Sequence, residues 1–295
     1  MTAPTNWREH IEAAGGGVFD MPMADYHACT WALSSSGARK MLDTCPAKFR
    51  AQQDAPQEPT DAMNDGTLVH ALLLEGAADR FVVLPEGHSG ATKEGKARLA
   101  EIEAAGKVAV KADKWEMAQA MVAAMHAHPF AGGLFTNGAP EKSLFWFDAE
   151  FGVWCRCRLD WLPASGRIIP DYKTCKSALP ADLERSMWDW GYYQQDAWYA
   201  DGIKAVLGFD PAFVLACQEK DPPFLVTVAQ PGTFAVEWGR IRNRKAKEIF
   251  ATGMATGDWP GYAEDVVTIN LPIWAEKQLE REHAAGAYAP AVAAE

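Results

Sequence analysis

Two aspartates and a lysine in one short stretch hold the densest chemistry in this chain. The run from Trp154 to Leu162 alternates, so Cys155, Cys157, Leu159 and Trp161 share one strand face while Arg156, Arg158 and Asp160 share the other. Pro163-Ala-Ser-Gly166 is turn chemistry, and Arg167 to Lys173 opens a second strand in which Ile169, Asp171 and Lys173 project together. With the turn centred on Ser165-Gly166, an antiparallel register brings Asp160 beside Asp171. Neighbouring carboxylates raise each other's pKa unless a cation sits between them, and a divalent metal is the natural resolution. Mg²⁺ prefers oxygen ligands and keeps several waters, so Asp160, Asp171 and the backbone carbonyl of Tyr172 would leave positions open for a phosphate oxygen and a water. Lys173, about 7 Å along the strand from Asp171, has the reach to orient or deprotonate that water. Arg156 or Arg158 could neutralise the phosphate. A bare D-x-K tripeptide reads first as a solvated strand face; that reading loses ground here because the strand pattern, the turn and the register agree.

Positioning these groups requires a sheet with helices around it. Residues 1 to 30, with Gly15-Gly16-Gly17, read as a loose arm. Ser34, Ser35 or Ser36 can cap a helix through Ala38, Met41 and Leu42 that stops before Pro46. Residues 51 to 64 read as a loop. Gly66 to Glu75 is apolar almost all round, a buried helix with His70 in its middle. Residues 86 to 96 read as a flexible stretch, 97 to 105 and 112 to 128 as helices, and 143 to 173 as strands. A helix over 181 to 206, strands over 213 to 218 and 224 to 228, a basic helix over 234 to 251 and an Ala-rich tail complete the chain. The order predicts an α/β fold, with a mixed central β-sheet flanked by helices.

Composition narrows the function classes. The chain has 295 residues, with 28 Lys+Arg against 39 Asp+Glu, a net charge of -11, and 12 Trp that need an extensive core. Acidity argues against a general nucleic-acid coat protein, because phosphate affinity comes from Lys and Arg displacing counterions. It leaves room for an enzyme that centres carboxylates on a metal and keeps positive charge along the substrate path. No stretch approaches the roughly 20 apolar residues of a membrane span, and the N-terminus has no apolar leader core, so a cytoplasmic protein is expected. The six cysteines show no framework; Cys155-x-Cys157 is too tight for a zinc knuckle, and all six read as free thiols.

Asp160 followed by Asp171-Tyr172-Lys173 resembles the PD-(D/E)XK nuclease motif. The wider pattern is similar to the C-terminal nuclease domain of the RecE-type exodeoxyribonuclease VIII family. The matching blocks are Leu33-Ser-Ser-Ser, Gly66-Thr-Leu-Val-His70, the Arg158-to-Thr174 hairpin, Gly191 to Tyr199, and Gln218-Glu-Lys-Asp-Pro-Pro223, in the family's order over roughly residues 31 to 230. Asp171 stands where many relatives have Glu. The resemblance implies a PD-(D/E)XK core over 31–260, between an arm over 1–30 and an extension over 261–295. It also implies a Mg²⁺-dependent enzyme, with Mn²⁺ able to substitute, that digests one strand of linear duplex DNA from the 5′ end. The resulting 3′ tail would serve a RecT-like single-strand annealing protein in a phage or prophage recombination system. A ring-shaped homo-oligomer in the cytoplasm of a bacterial or phage-infected host is implied as well. Asp160 and Asp171 would hold metal, Lys173 would act on the water, and His70 would complete the site as a ligand or a phosphate contact.

Some residues read differently alone and within that resemblance. His70 on an apolar helix is by itself a satisfied core histidine; Glu75 is structural. Trp188, Tyr192, Gln195 and Tyr199 share a helical stripe, which is core packing for Trp188. Gln195-x-x-x-Tyr199 matches an element of RecB-like nucleases and is assigned to DNA strand contact or site support. Glu219 and Lys220 end a strand as surface or supporting residues. Arg240, Arg242, Arg244, Lys245 and Lys247 could line a DNA channel or a solvated helix face. The alternatives are another nuclease of the superfamily, either an endonuclease or an iron–sulfur member of the AddB kind, and a non-catalytic DNA-end-binding subunit. The iron–sulfur group carries a late cysteine cluster, whereas no cysteine follows Cys217. A scaffold has no need of adjacent carboxylates.

Overall fold

The computed structural model describes residues 4, 6–55 and 65–288. It divides into two units, 1–259 and 260–295.

In the first unit, residues expected to form an arm are folded. Helix α1 (Trp7–Ala14), capped by the Asn6 side chain, leads through β1 (Gly17–Phe19) to α2 (Met23–Ala28). Ile11, Met21, Tyr26 and Cys29 form a small core with Phe145. Aromatic residues outweigh the glycine breakers here, because Trp7, Phe19 and Trp31 also pack against that core.

Strand β2 (Ala32–Ser34) then runs into α3 (Ser35–Asp43), where Ser34 Oγ accepts the Gly37 N–H at 3.1 Å, the expected cap. After the stop before Pro46 the chain resumes as α4 (Pro46–Asp54), with proline in the first turn, so 51–54 are helical rather than loop. The remainder of that expected loop, 56–64, lies outside the described residues. The apolar helix is α5 (Asp65–His70), and the next five residues, Ala71–Glu75, wind as a π-turn.

Beyond it lie β3 (Phe81–Leu84), α6 (Lys93–Ala104), β4 (Val108–Lys111) and α7 (Ala112–Ala127). The parallel β3–β4 pair was not anticipated: four residues each are too few for a period to emerge. Three long strands follow, β5 (Gly138–Asp148), β6 (Val153–Pro163) and β7 (Ile168–Cys175), then α8 (Pro180–Asp189), α9 (Tyr192–Leu207), β8 (Ala212–Glu219), β9 (Val226–Ala229) and α10 (Thr233–Thr256). The expected single helix over 181–206 is two, because Gly191 takes a left-handed φ of 62° between them.

One sheet has the order β1-β5-β6-β2 and another the order β7-β8-β9, each with parallel and antiparallel pairs. This is the expected mixed α/β architecture. The β7–β8 pair is parallel, so the chain must cross over between them, and α8 and α9 make that crossing. Cys155, Cys157 and Leu159 face the main core with Ile169, Trp198, Phe213 and Phe250; burial pushes the Cys155 thiol up to about 12, and all six cysteines are free.

The second unit, described by itself, contains α11 (Ile273–Ala284), which buries none of its side chains. Among the described residues, no helix is long and apolar enough to cross a membrane.

Candidate active site

The expected hairpin differs from the observed one in a way that matters. Strand β6 pairs with β5 and β2, β7 pairs with β8, and no backbone ladder joins β6 to β7. A side chain makes the junction instead: Asp160 Oδ2 accepts the backbone N–H of Tyr172 at 2.8 Å. The carboxylate thus takes the place of a ladder carbonyl and still brings Asp160 to the segment that carries Asp171 and Lys173.

Four elements converge on this junction. His70, the last residue of α5, lies with Nε2 3.4 Å from Asp160 Oδ1 and Nδ1 3.3 Å from Glu141 Oε1. The π-turn directly after His70 is the kind of local widening found at functional positions in helices. Glu141 belongs to β5, where Pro140 faces Trp161 and Lys142 faces Leu159, so it stands across from Asp160. Its φ of 56° is unusual for a residue with a side chain. Glu141 Oε2 accepts from Arg158 Nε at 2.5 Å, and Arg158 Nη1 donates to Met21 O and Ser143 Oγ, both at 2.8 Å. The ordered N-terminal segment therefore helps to fix the site.

Asp171 is 1% exposed. Its Oδ1 accepts from Gln195 Nε2 at 2.8 Å, while Oδ2 meets the Lys173 ammonium as an ion pair without a well-angled hydrogen bond. Helix α9 fixes both strands at once. Besides Gln195 on Asp171, the Trp198 indole N–H donates to Arg156 O and the Tyr199 hydroxyl to Arg158 O, each at 3.0 Å. The Tyr172 hydroxyl donates to Gln218 Oε1 at 2.7 Å, and Gln218 Nε2 donates to Met121 O at 2.8 Å.

Electrostatics set the two aspartates apart. Burial, reinforced by the charge of Asp160, pushes Asp171 up to about 6, against the pull of Lys173. Burial also opposes ionisation of Asp160, but the His70 hydrogen bond and the Lys173 charge outweigh it and hold its pKa below the usual range. His70 is displaced upward: its burial is outweighed by the Asp160 hydrogen bond and the surrounding carboxylates. Lys173 is held above its usual value, because Asp171 and Asp160 overcome its burial, so it keeps its proton at neutral pH. A buried acid and a half-buried one with pKa values displaced in opposite directions beside a lysine are the pattern of a functional centre.

The donors fit a divalent cation. One ligand atom each from His70, Glu141 and Asp160 lies within 4.8 Å of the others, and the buried Asp171 Oδ2 lacks a hydrogen bond. Carboxylate oxygens with one imidazole suit Mg²⁺ or Mn²⁺. A cleft of about 730 Å³, lined by His70, Glu141, Arg158, Tyr172, Lys173 and Arg80, opens onto the group.

Other expected residues fall elsewhere. Arg156 is 3% exposed; its guanidinium lies over the Tyr26 ring at 4.5 Å, and Nε donates to Ala32 O at 3.1 Å, so it faces the N-terminal core rather than a phosphate. Arg158 lines the cleft but commits its guanidinium first to Glu141. Gln195 and Tyr199 face inward, with their polar groups bonded to Asp171 Oδ1 and Arg158 O. Glu219 Oε1 accepts the Ala178 N–H at 2.8 Å and fixes the loop after β7. Trp188 is 71% exposed rather than core, because the break at Gly191 takes α8 off the helical stripe of α9. On α10 every cation of the basic run has a partner: Arg240 with Asp201, Arg242 with Asp43, Arg244 with Glu150, Lys245 with Glu248 and Lys247 with Asp148. These pairs mostly tie the helix to the body and do not present an open cationic channel.

Glu141 is the residue that sequence reasoning missed. Its signal is the spacing: residues 141 and 160 are equidistant from the turn around Glu150-Phe151, as Asp160 and Asp171 are from the next turn.

A mixed sheet crossed by α9, with paired acids and a lysine at the junction of β6 and β7, defines a nuclease-type fold of the PD-(D/E)XK class. The chain belongs to the family described as PDDEXK-like domain of unknown function (DUF3799), which matches residues 34–272. It is also similar in structure to a "putative exonuclease" from Eubacterium rectale, with a TM-score of 0.58 and 15% identity over 88% of this chain and 98% of that one. No curated protein matches the chain.

Proposed function

We propose that the protein is a metal-dependent DNA exonuclease that digests one strand of linear duplex DNA from the 5′ end. The observation that carries this reading is the convergence of Asp160, Asp171 and Lys173 beside His70 and Glu141, three of which, His70, Glu141 and Lys173, line one cleft. Asp160, Asp171, His70 and Glu141, with the carbonyl of Tyr172, would hold Mg²⁺, which when bound supplies Lewis acidity toward a phosphate oxygen and its water. Lys173, held above its usual value by the two acids, is placed to act on that water or to stabilise phosphate charge. Gln195 positions Asp171, and Arg158 positions Glu141. The direction of digestion, the use of the 3′ tail by an annealing partner and the phage recombination setting are supported by the ordered blocks shared with the RecE-type family.

The test is digestion of 5′- and 3′-end-labelled linear duplexes with Mg²⁺, with chelator, and by an Asp171→Asn variant. Early metal-dependent release of the 5′ label, lost with chelator and in the variant, supports the reading. Equal activity of the variant removes Asp171 from the chemistry, and cutting of closed circular DNA replaces the exonuclease with an endonuclease.

A further inference from the structure

Away from the cleft, α8 and α10 present an apolar face that the site does not use. Phe234, Trp238 and Ile241 recur at helical spacing along α10 and are 75%, 51% and 53% exposed. Trp188, stacked on Tyr193 with ring centroids 6.1 Å apart, joins Met187, Phe234 and Trp238 around one shallow groove of about 410 Å³. At about 150–250 Å² per aromatic side chain, the exposed parts of Trp188, Phe234 and Trp238 together with Ile241 offer on the order of 500 Å² of apolar surface. That lies in the upper part of the range for the largest patch on a monomer, roughly 300–600 Å².

Charge selects the occupant. Aromatic platforms for single-stranded nucleic acid lie in cationic grooves. Here the flanking groups are Glu184, Arg185 and Asp189 on α8 and Glu237 and Arg240 on α10, and the two arginines already pair with Asp189 and Asp201. An acidic, mixed-sign rim repels a phosphate backbone. A second copy of the same surface offers apolar area to match, because a two-fold axis sets one patch against itself. Area agrees: a half-interface of about 800 Å² that is about 65% apolar needs roughly 500 Å² of apolar surface.

We propose that this face joins two copies of the chain in a two-fold dimer centred on Trp188, Phe234 and Trp238. The inference is independent of the nuclease reading, since none of these residues lines the cleft. Such a contact closes at two copies, so a larger ring would need a second, different face.

Analytical ultracentrifugation of the full chain tests it. The wild type should sediment at twice the 32.3 kDa chain mass, and both Phe234→Ser/Trp238→Ser and Trp188→Ser should shift toward monomer with unchanged circular dichroism. A monomeric wild type at about 100 μM, where even micromolar dimers are populated, overturns the proposal. So does a dimer that persists in both variants. Loss of single-stranded oligonucleotide binding in the variants without a change of mass would instead assign the rings to bases, and overturns it as well.

Discussion

Glu141 stands opposite Asp160 across the β5–β6 ladder, and the His70 imidazole bridges the two carboxylates, with Nδ1 toward one and Nε2 toward the other. Removing the Glu141 charge leaves His70 half-supported and Arg158 unpaired. Glu141→Gln should therefore weaken Mn²⁺ binding, measured by calorimetry, by at least the roughly 10–100-fold lost when a group that merely orients a metal ligand is removed. Affinity equal to wild type would take Glu141 out of the cation site.

Gln195 separates positioning from DNA contact. In Gln195→Ala, Asp171 Oδ1 loses its buried donor, which should cost about 1–3 kcal/mol of stability. The rate constant at saturating duplex should fall while KM for DNA stays near wild type. A rise in KM with kcat unchanged would point to direct strand contact.

Lys173 is the cation paired with the buried Asp171, and its charge also lowers Asp160. Lys173→Met should destabilise the protein by about 3–5 kcal/mol in chelator, because it leaves uncompensated buried charge. Mn²⁺ should restore part of the lost melting temperature. A variant as stable as wild type without metal would show that solvent, not Lys173, screens the pair.

Asp196 supplies a pH test away from the cleft. It is buried, and burial, only partly offset by Arg240, pushes it up to about 7. A carboxyl whose folded pKa is raised favours the folded state fully below its unfolded value near 4, and that contribution is lost as pH rises through 7. Asp196→Asn should thus match wild type near pH 4 and become progressively more stable than it up to pH 8. The gap should not exceed about 4 kcal/mol, at about 1.4 kcal/mol per pKa unit. A stability difference that does not change with pH would show that Asp196 does not titrate in this range.

At Gly239, α10 packs directly on the backbone of α9. A Cβ there would meet Tyr193 O at 2.5 Å, and backbone cannot move aside as a side chain can. Gly239→Ala should lower stability by about 1–3 kcal/mol in chemical denaturation, despite alanine's better helix propensity. An unchanged midpoint would mean that the helices separate freely.

The site was legible where its signal was local. Alternation over Trp154 to Leu162 placed Asp160 on the face opposite Cys157, and the spacing to Asp171 and Lys173 survived even though the ladder between their strands did not form. What failed was long-range. Whether Arg156 meets solvent depends on Tyr26, more than a hundred residues earlier, and no period in either segment announces that contact. Glycine breakers in the first 30 residues pointed to a loose arm, but tertiary packing around Phe145 decided the outcome. The α10 cations read equally as the lining of a DNA channel or a solvated helix face, and no local signal announces their acidic partners, most of them on distant elements.

The hydrogen bond from the Tyr172 amide to Asp160 splits one carboxyl group between two duties. One oxygen acts as a mechanical fastener between two sheets, and the other is left to face the imidazole. Alanine at this position would therefore unhinge the scaffold and silence the chemistry together, so its phenotype could not tell them apart. Asparagine keeps an acceptor for the amide and is the cleaner probe. Glutamate retains the charge, but its extra methylene would force the fastener open, which makes this the position where the shorter acid is the harder to replace.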